Sequence, residues 1–577
     1  MAAIARIYAP ALYRSKANYG IITNKFKKTK AFQESEGFGW NAFSHWKGEL
    51  MMKKLAAAVL LGLTVLTAAG CGGGSSSSGG SGSNIPKNTM AVGISVDLGS
   101  LDPAVTMDNK HWQVTYPAYE RLVRYKVENG KASTEVEGSL AKSWTVSDDG
   151  LVWTFKLDPG HKFSDGTPVD AAAVKFSMER TIAIGKGPSE YFKMVKSIEA
   201  PDPETVVITL DRPFAPFLSS LAVNGAGIVN PKVMEHEENG DRGSNYLATH
   251  TMGSGAYELK EIVPGQKITL ELNPNYSGKK PAIEHVVFNV VKDPSAQRLQ
   301  LEKGDLDIAQ GLPLDQIEQM KSNPDIHIYE DPSLVASVVY MNNQKAPMND
   351  KLFRQALSYA VDYDGMVEGA VKGYGKQLVT PIPDGLWGRD SSITGYKQDL
   401  TKAKELLAQS SGAGTTELTL LYSDNQPFNE VEALMLQNNM KELGINLKLE
   451  KTAWAAFRER VDKGDFDLAL GTWSPDYADP QFFMSYWFDS GYWGLAGNRA
   501  FYKNDAVDSI LRQAEGITDQ KARTDLYGQA QKMVLDDASY LFLFQMNVLT
   551  PMRSNIEGFA YNPMLDSMYD FEHMSKK

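Results

Sequence analysis

The residues best suited to chemistry lie in the stretch TWSPDYADP, residues 472–480, which sets Asp476 and Asp479 beside Trp473 and Tyr477. Two carboxylates raise the question of acid–base catalysis. Glycoside hydrolysis needs opposed carboxylates flanking a bound sugar, and two acids three residues apart in a proline-bounded loop are poorly spaced for that. Other enzyme classes find less support: the eight histidines form no HExxH zinc motif, there is no GxSxG nucleophile elbow, and YGKQ at 374–377 lacks the spacing and Ser/Thr of a phosphate-binding loop. On position alone, Asp476 reads as the start of a loop, capping backbone N–H groups, and Asp479, just before Pro480, reads as a turn residue. The 25 tyrosines and 10 tryptophans suit either a large core or a surface that stacks on ligands.

The elements around these residues alternate between strand and helix, the pattern of an α/β protein. Strands are expected at 90–95, 152–157, 206–210, 268–272, 286–291, 445–450, 466–470 and 540–545. Helices are expected at 169–180, with Asp170 as N-cap, and at 295–303, 351–361, 401–409, 429–443 and 520–536. The net charge of −11 favours solubility and argues against a nucleic-acid partner, which would select a basic face.

Cys71 is the only cysteine of the 577 residues. Before it stand the basic segment Met51-Met52-Lys53-Lys54 and a sixteen-residue uncharged, mostly apolar run ending in LTAAG, residues 66–70. That run is a secretion signal, short of the roughly 20 apolar residues a bilayer span needs. LTAAGC resembles a lipobox, in which the cysteine is acylated and becomes the mature N-terminus, although Ala68 stands where leucine is commoner. Residues 51–70 are thus expected to be a lipoprotein signal peptide, and 71–84 the lipidated cysteine with a glycine- and serine-rich tether reaching roughly 20 Å. Export signals begin at a chain's start, so residues 1–50 are expected not to belong to the mature product. Residues 85–577 are too many for one hydrophobic core, and two or three domains are expected.

Several segments in order resemble one family. LAKSWTVSDDGLVWTFKLDPGHKFSDGTPVDAAAVKFSMER (140–180) resembles the signature of family 5 of bacterial extracytoplasmic solute-binding proteins, the oligopeptide-, dipeptide- and nickel-binding components of ABC importers. LDPA (101–104), MGSGAYELKEIVPGQKITLELNPNYSGKKP (252–281), LEKGDLDIA (301–309), MNNQKAPMNDKLFRQALSYAVD (341–362) and GDFDLALGTWSPDYADP (464–480) resemble further segments of that family. The resemblance implies an α/β, two-lobe periplasmic-binding-protein-like fold of type II, with the ligand cleft between the lobes. Lobe I would comprise 85–126, 237–337 and 546–577, an extra domain 127–236 would be inserted in it, and lobe II would comprise 338–545. It also implies a monomer that uses no cofactor and no metal, captures peptides, and delivers them to the permease and ATPase subunits of an importer from the periplasm or the outer face of the cell membrane.

Residue by residue, the resemblance gives Asp476 the ligand's α-ammonium, and it makes Trp473 and Trp454 aromatic walls. Tyr477, Trp112, Tyr116 and Trp387 fall in segments that border the cleft in relatives. Departures accompany these matches. Gln426 stands where dipeptide binders carry an arginine for the ligand's carboxylate, and Val461 and Leu470 stand where oligopeptide binders place arginines. Arg458 or Arg460 would be the substitute. A non-peptide solute such as a nickel chelate, a sugar or an opine, a role as ligand sensor, and an exported hydrolase stand as the alternatives.

Overall fold

The computed structural model describes residues 85–577 apart from 96–98, 108, 129, 425, 427 and 566. Cys71, the signal, the tether and residues 1–50 lie outside the described residues. An eleven-stranded mixed sheet runs through the chain. At one end, Thr89–Ile94 pairs in parallel with His285–Val290 and Ile308–Ala309, and Lys267–Leu272 and Tyr257–Val263 follow as antiparallel neighbours. At the other end, Glu417–Ser423 lies between two parallel partners, Asn446–Thr452 and Leu468–Trp473.

Two long antiparallel strands, Ile326–Met341 and Tyr540–Arg553, join these ends. Their ladder runs from Ile326↔Arg553 to Pro332↔Asn547, breaks, and resumes from Ala336↔Gln545 to Tyr340↔Tyr540. Such an irregularity unpairs residues and bends a strand. Gln545 holds the break together: its Nε2 donates to the carbonyls of Ser333 at 2.6 Å and Asp384 at 2.8 Å, and its Oε1 accepts the Asp384 N–H at 2.9 Å. The expected strand 540–545 therefore continues to Arg553. Pro551 and the polar residues beyond Gln545 hide this continuation from an alternation pattern, yet Pro551 sits in register with Ile328.

Each end has its own core. Met90, Val92, Leu270, Val286 and Phe288 pack at the first end; Val339, Leu357, Leu420, Leu436 and Leu468 pack on one face of the second. A four-stranded sheet built from Ala141–Val146, Val152–Leu157, Thr205–Leu210 and Val195–Asp202 carries the helix Ala171–Ile184. That helix starts as expected, where the Asp170 side chain accepts the Ala173 N–H at 2.9 Å. The core of this small sheet (Trp153, Phe155, Val206, Ile208) is continuous with an aromatic face of the second end made by Trp473, Phe482, Trp487 and Tyr540.

Two of the sequence motifs meet in a structural ion pair. Arg180, closing the segment 140–180, donates twice to Asp102 of LDPA at 2.9 and 2.7 Å, and the acid also accepts from the Ser244 hydroxyl at 2.7 Å and the Ala104 N–H at 2.9 Å. Both side chains are buried. Among the described residues, no helix is long and apolar enough to cross a membrane.

Candidate functional site

The second end of the sheet has the geometry from which α/β proteins build binding sites. From Glu417–Ser423 the chain passes through helix Asn429–Lys441 to the neighbour on one side, Asn446–Thr452. It then passes through helix Trp454–Lys463 to the neighbour on the other side, Leu468–Trp473. The two helices cover opposite faces: Ala433, Leu436 and Met440 pack with Leu418, Leu420 and Leu447, while Phe457 and Val461 pack with Leu421, Ala469 and Trp473. Strand order reverses at Glu417–Ser423, and ligands in such sheets bind outside the carboxyl ends of the strands at the reversal. Gln426, Trp454 and Asp476 each follow the carboxyl end of one of these three strands.

The strand expected at 466–470 is shifted to Leu468–Trp473, so Trp473 is its last residue. Gly471 and Thr472, beyond the expected end, pair with Val338 and Ser337. Glycine is required at 471 because a Cβ there would lie 2.2 Å from the Tyr340 ring.

Asp476 is partly buried, and its one side-chain hydrogen bond comes from the Tyr191 hydroxyl, which donates to Oδ2 at 2.7 Å. No cation pairs with it among the described residues. Loss of hydration pushes its carboxyl up to about 6, against the lowering effect of the Tyr191 hydrogen bond. Tyr191 belongs to the 3-10 helix Gly187–Phe192, so the bond joins two distant segments. A second link lies beside it: the Ala478 N–H donates to the Tyr125 hydroxyl at 3.3 Å. Tyr477 is buried between Tyr191 and Phe482 and donates its hydroxyl to Gln481 at 2.5 Å.

Asp479 differs completely. Both of its oxygens accept from Arg523 at 2.7 Å, and Oδ1 also accepts the Gln481 N–H at 2.9 Å. The turn role expected of it is present, and a buried ion pair is added to it.

The aromatic residues divide in the same way. Trp473 is 8% exposed, packs against Phe482, Tyr486 and Trp487, and its indole N–H has no partner among the described residues. Trp454 is 40% exposed and stacks on Phe457. Trp387 packs against Tyr527 beneath the Arg523 guanidinium, next to the Asp479 pair. Trp112 is fully buried and donates its indole N–H to the Thr106 carbonyl. Tyr116 carries the Arg121 guanidinium 3.5 Å over its ring and lines a cavity of about 120 Å³ with Tyr125, Asn562 and Tyr569. Through Tyr125 that cavity adjoins the Asp476 loop. A larger cavity of about 900 Å³, lined by Glu120, Arg124, His161, Tyr276 and Glu572, contains none of the expected residues.

Of the substitute arginines, Arg460 is committed elsewhere, to Glu450 at 2.7 Å and Asp465 at 3.1 Å. Arg458 forms no ion pair among the described residues and lies over the Trp454 ring at 5.7 Å. Gln426 is half-buried, and its carbonyl accepts the Asn429 N–H at 3.3 Å at the start of the next helix. Sequence reasoning missed Tyr191 and Arg499. Arg499 places its guanidinium 4.8 Å over Trp473 and donates from Nη1 to the Tyr340 hydroxyl at 3.2 Å. Among the described residues, no group of three His, Cys, Asp or Glu could hold a metal ion.

A mixed α/β sheet with its expected site at the switch point, joined to a second sheet region by two long strands, defines a two-lobe binding protein. Solved structures of such proteins superpose well. One is a periplasmic binding protein of Helicobacter pylori in complex with the peptide STSA, with TM-score 0.72 and 29% identity over 85% of this chain and 98% of that one. Another is HbpA2 of Haemophilus parasuis, with TM-score 0.76 and 26% identity over 85% of this chain and 100% of that one. Residues 135–494 match the model of bacterial extracellular solute-binding proteins, family 5, and this chain belongs to that family. A probable D,D-dipeptide-binding periplasmic protein of Escherichia coli K12 is 49% identical over 493 residues, 85% of this chain and 95% of that protein. The dipeptide-binding protein of the same organism is 27% identical over 482 residues, 80% of this chain and 89% of that protein.

Proposed function

We propose that this protein is the extracytoplasmic binding component of an ABC importer that captures short peptides between its lobes and hands them to a membrane permease. The observation that carries the reading is Asp476, a desolvated carboxylate with, among the described residues, one hydroxyl donor and no cation, just beyond the carboxyl end of a switch-point strand. A ligand α-ammonium completes its coordination. Trp473, Trp454 and Tyr477 serve as surrounding walls, Gln426 faces the ligand from the adjacent strand end, and Tyr116, Trp387 and Trp112 support the cleft from behind. The 49% identity to a protein named for D,D-dipeptides makes that class the first to test. Ligand closes the two lobes by adding contacts available only in the closed form, with the crossing strands as hinge. The lobes follow the boundaries given above, and the protein acts as a monomer.

The protein binds without turnover. An acid pair for hydrolysis is disfavoured because Asp479 is occupied by Arg523. Cys71 anchors the mature chain through lipid, and labelling with a radioactive fatty acid that persists in a Cys71→Ala variant would overturn the anchor. For the ligand, mass spectrometry of small molecules released on denaturing the purified protein is decisive. Short peptides are expected; a single non-peptide compound would overturn the substrate while leaving the transport role.

A further inference from the structure

Glu432 has no exposure to solvent and stands in the first turns of the helix Asn429–Lys441, which begins just after the Gln426 loop. One oxygen, Oε1, accepts from the Ser337 hydroxyl; the other, Oε2, has no partner among the described residues. Ser337 lies on the crossing strand Ile326–Met341 where its ladder resumes after the break. It is in register with Phe544 on one side and Thr472 on the other, and the register slips again between Ser337 and Val338. Phe428, at the helix start, packs edge to face on Phe544 with ring centroids 6.0 Å apart. The Asn429 side chain donates to the Ser423 carbonyl at 3.0 Å, and its N–H donates to the Gln426 carbonyl at 3.3 Å. One helix start thus touches the end of strand Glu417–Ser423, the Gln426 loop and the crossing strand that neighbours Leu468–Trp473.

A carboxylate sealed from water with a single hydroxyl donor is costly, and keeping the proton removes most of that cost. Burial pushes the Glu432 carboxyl up to about 8, against the lowering effect of the Ser337 hydrogen bond. The charged and titratable groups on the elements around it do not contribute: Glu430 on its own helix, Tyr422 and Lys451 on the neighbouring strands, Tyr363, Asp364 and Glu368 on helix Tyr363–Val371, and Arg354 on helix Lys351–Ala360. Asp476, by contrast, is only partly buried and stands beyond a strand end. A ligand can reach that acid, whereas only a proton answers the sealed one.

We propose that Glu432 is a positioning residue that works as a neutral acid: through Ser337 it ties the helix start and the Gln426 loop to the crossing strands, and loss of its proton to solvent releases the tie. Once ionised, the carboxylate is better served by water than by one hydroxyl, so the first turn of the helix opens and the strand-end loop loses its fixed place. The effect on affinity rests on the peptide reading; the tie itself is read without ligand.

Hydrogen exchange of the ligand-free protein at pH 7 and pH 9, corrected for the intrinsic pH dependence of exchange, tests the tie. In the wild type, segments 428–436 and 333–341 are expected to exchange roughly tenfold faster at pH 9. In Glu432→Gln, which still accepts from Ser337 but cannot ionise, the two profiles should coincide. Titration calorimetry with D-alanyl-D-alanine from pH 6 to 9.5 reads the consequence. The ligand's own amine loses its proton equally for both proteins, so the ratio of wild-type to variant affinity isolates Glu432. That ratio is expected to be level from pH 6 to 7 and to fall toward tenfold per unit above about pH 8. Ser337→Ala guards against a folding defect in Glu432→Gln: it removes the hydroxyl that favours the charged form, so it should weaken affinity several-fold at pH 7 and move the alkaline midpoint upward. Wild-type and Glu432→Gln profiles that run parallel across the range, or a Ser337→Ala protein with wild-type affinity and midpoint, overturn the tie. Exchange that follows the expectation while the affinity ratio stays level overturns its link to the site. Exchange that follows the expectation while D-alanyl-D-alanine binds neither protein supports the tie and removes the peptide reading alone.

Discussion

Asp476 and Asp479 stand three residues apart in one loop and live in opposite electrostatic worlds. Asp479 has both oxygens on the Arg523 fork and a backbone N–H besides. Asp476 has the Tyr191 hydroxyl, and burial drives its carboxyl up to about 6. The arginines divide likewise: Arg180 and Arg523 are closed by buried acids, whereas Arg499, with its Nε buried, pairs with no acid among the described residues. A buried charge whose partners are complete is part of the frame, and one whose partners are incomplete awaits something from outside. The strongest challenge to this division is Arg523→Ala, which strands Asp479 in the interior. Urea unfolding should show a loss of about 3–5 kcal/mol. A loss below about 1 kcal/mol would mean that Asp479 is not structural, and the contrast would collapse.

On the other side of the comparison, Asp476→Asn should leave the apo protein as stable as before or slightly more so. Its carboxyl titrates higher folded than unfolded, so ionisation works against the fold as pH rises from about 4 to about 6 and is fully opposed above that. Ligand binding should suffer instead, by roughly 10- to 100-fold for a peptide with a free amino terminus, as expected for ~1.5–3 kcal/mol in a charge-assisted hydrogen bond. Titration calorimetry of both proteins decides it. An unchanged affinity removes Asp476 from recognition.

A proton and an ammonium compete for the same carboxylate, so the wild type carries its own internal test. Affinity should be highest near pH 7, fall toward tenfold per unit below about pH 6 with proton release on binding in the acidic range, and decline again toward pH 8, where the ligand's own α-amine loses its proton. Titrations from pH 5 to 8 in two buffers of different ionisation enthalpy read both effects. A level profile down to pH 5 would place the ammonium elsewhere.

Much of the frame was legible in the sequence because it obeys local rules. The helix Gln520–Asp536 occupies its expected span, and Asp170 caps where an N-cap was expected. The crossing strand Ile326–Met341 escaped because it changes neighbours along its length, and no single alternation describes it. The helix Asn109–Ala118 escaped as well, since it ends in Pro117-Ala118 and carries no acid in its first turn and no base in its last to mark its ends. Asp476 was legible only through the segment that surrounds it. Tyr191 and Arg499 were not, because each reaches the site from a distant, irregular stretch whose neighbours in sequence carry no periodicity. Their roles exist only in tertiary contact.

The smallest effect tests how finely Asp476 is tuned. Tyr191 donates to Oδ2, which leaves Oδ1 for a ligand, and the bond favours the charged carboxylate. Tyr191→Phe should therefore move the pH midpoint of binding upward from about 6 while changing affinity at pH 8 by less than about tenfold, since one hydrogen bond to a charge is lost and the ammonium contact stays. The same substitution cuts one of the links between the 3-10 helix Gly187–Phe192 and the Asp476 loop, leaving the Tyr125 contact with Ala478 in place. A midpoint that stays put would show that Tyr191 holds the two segments together without tuning the acid. A midpoint that rises while the apo melting temperature holds would show that the hydroxyl keeps Asp476 charged for its ligand.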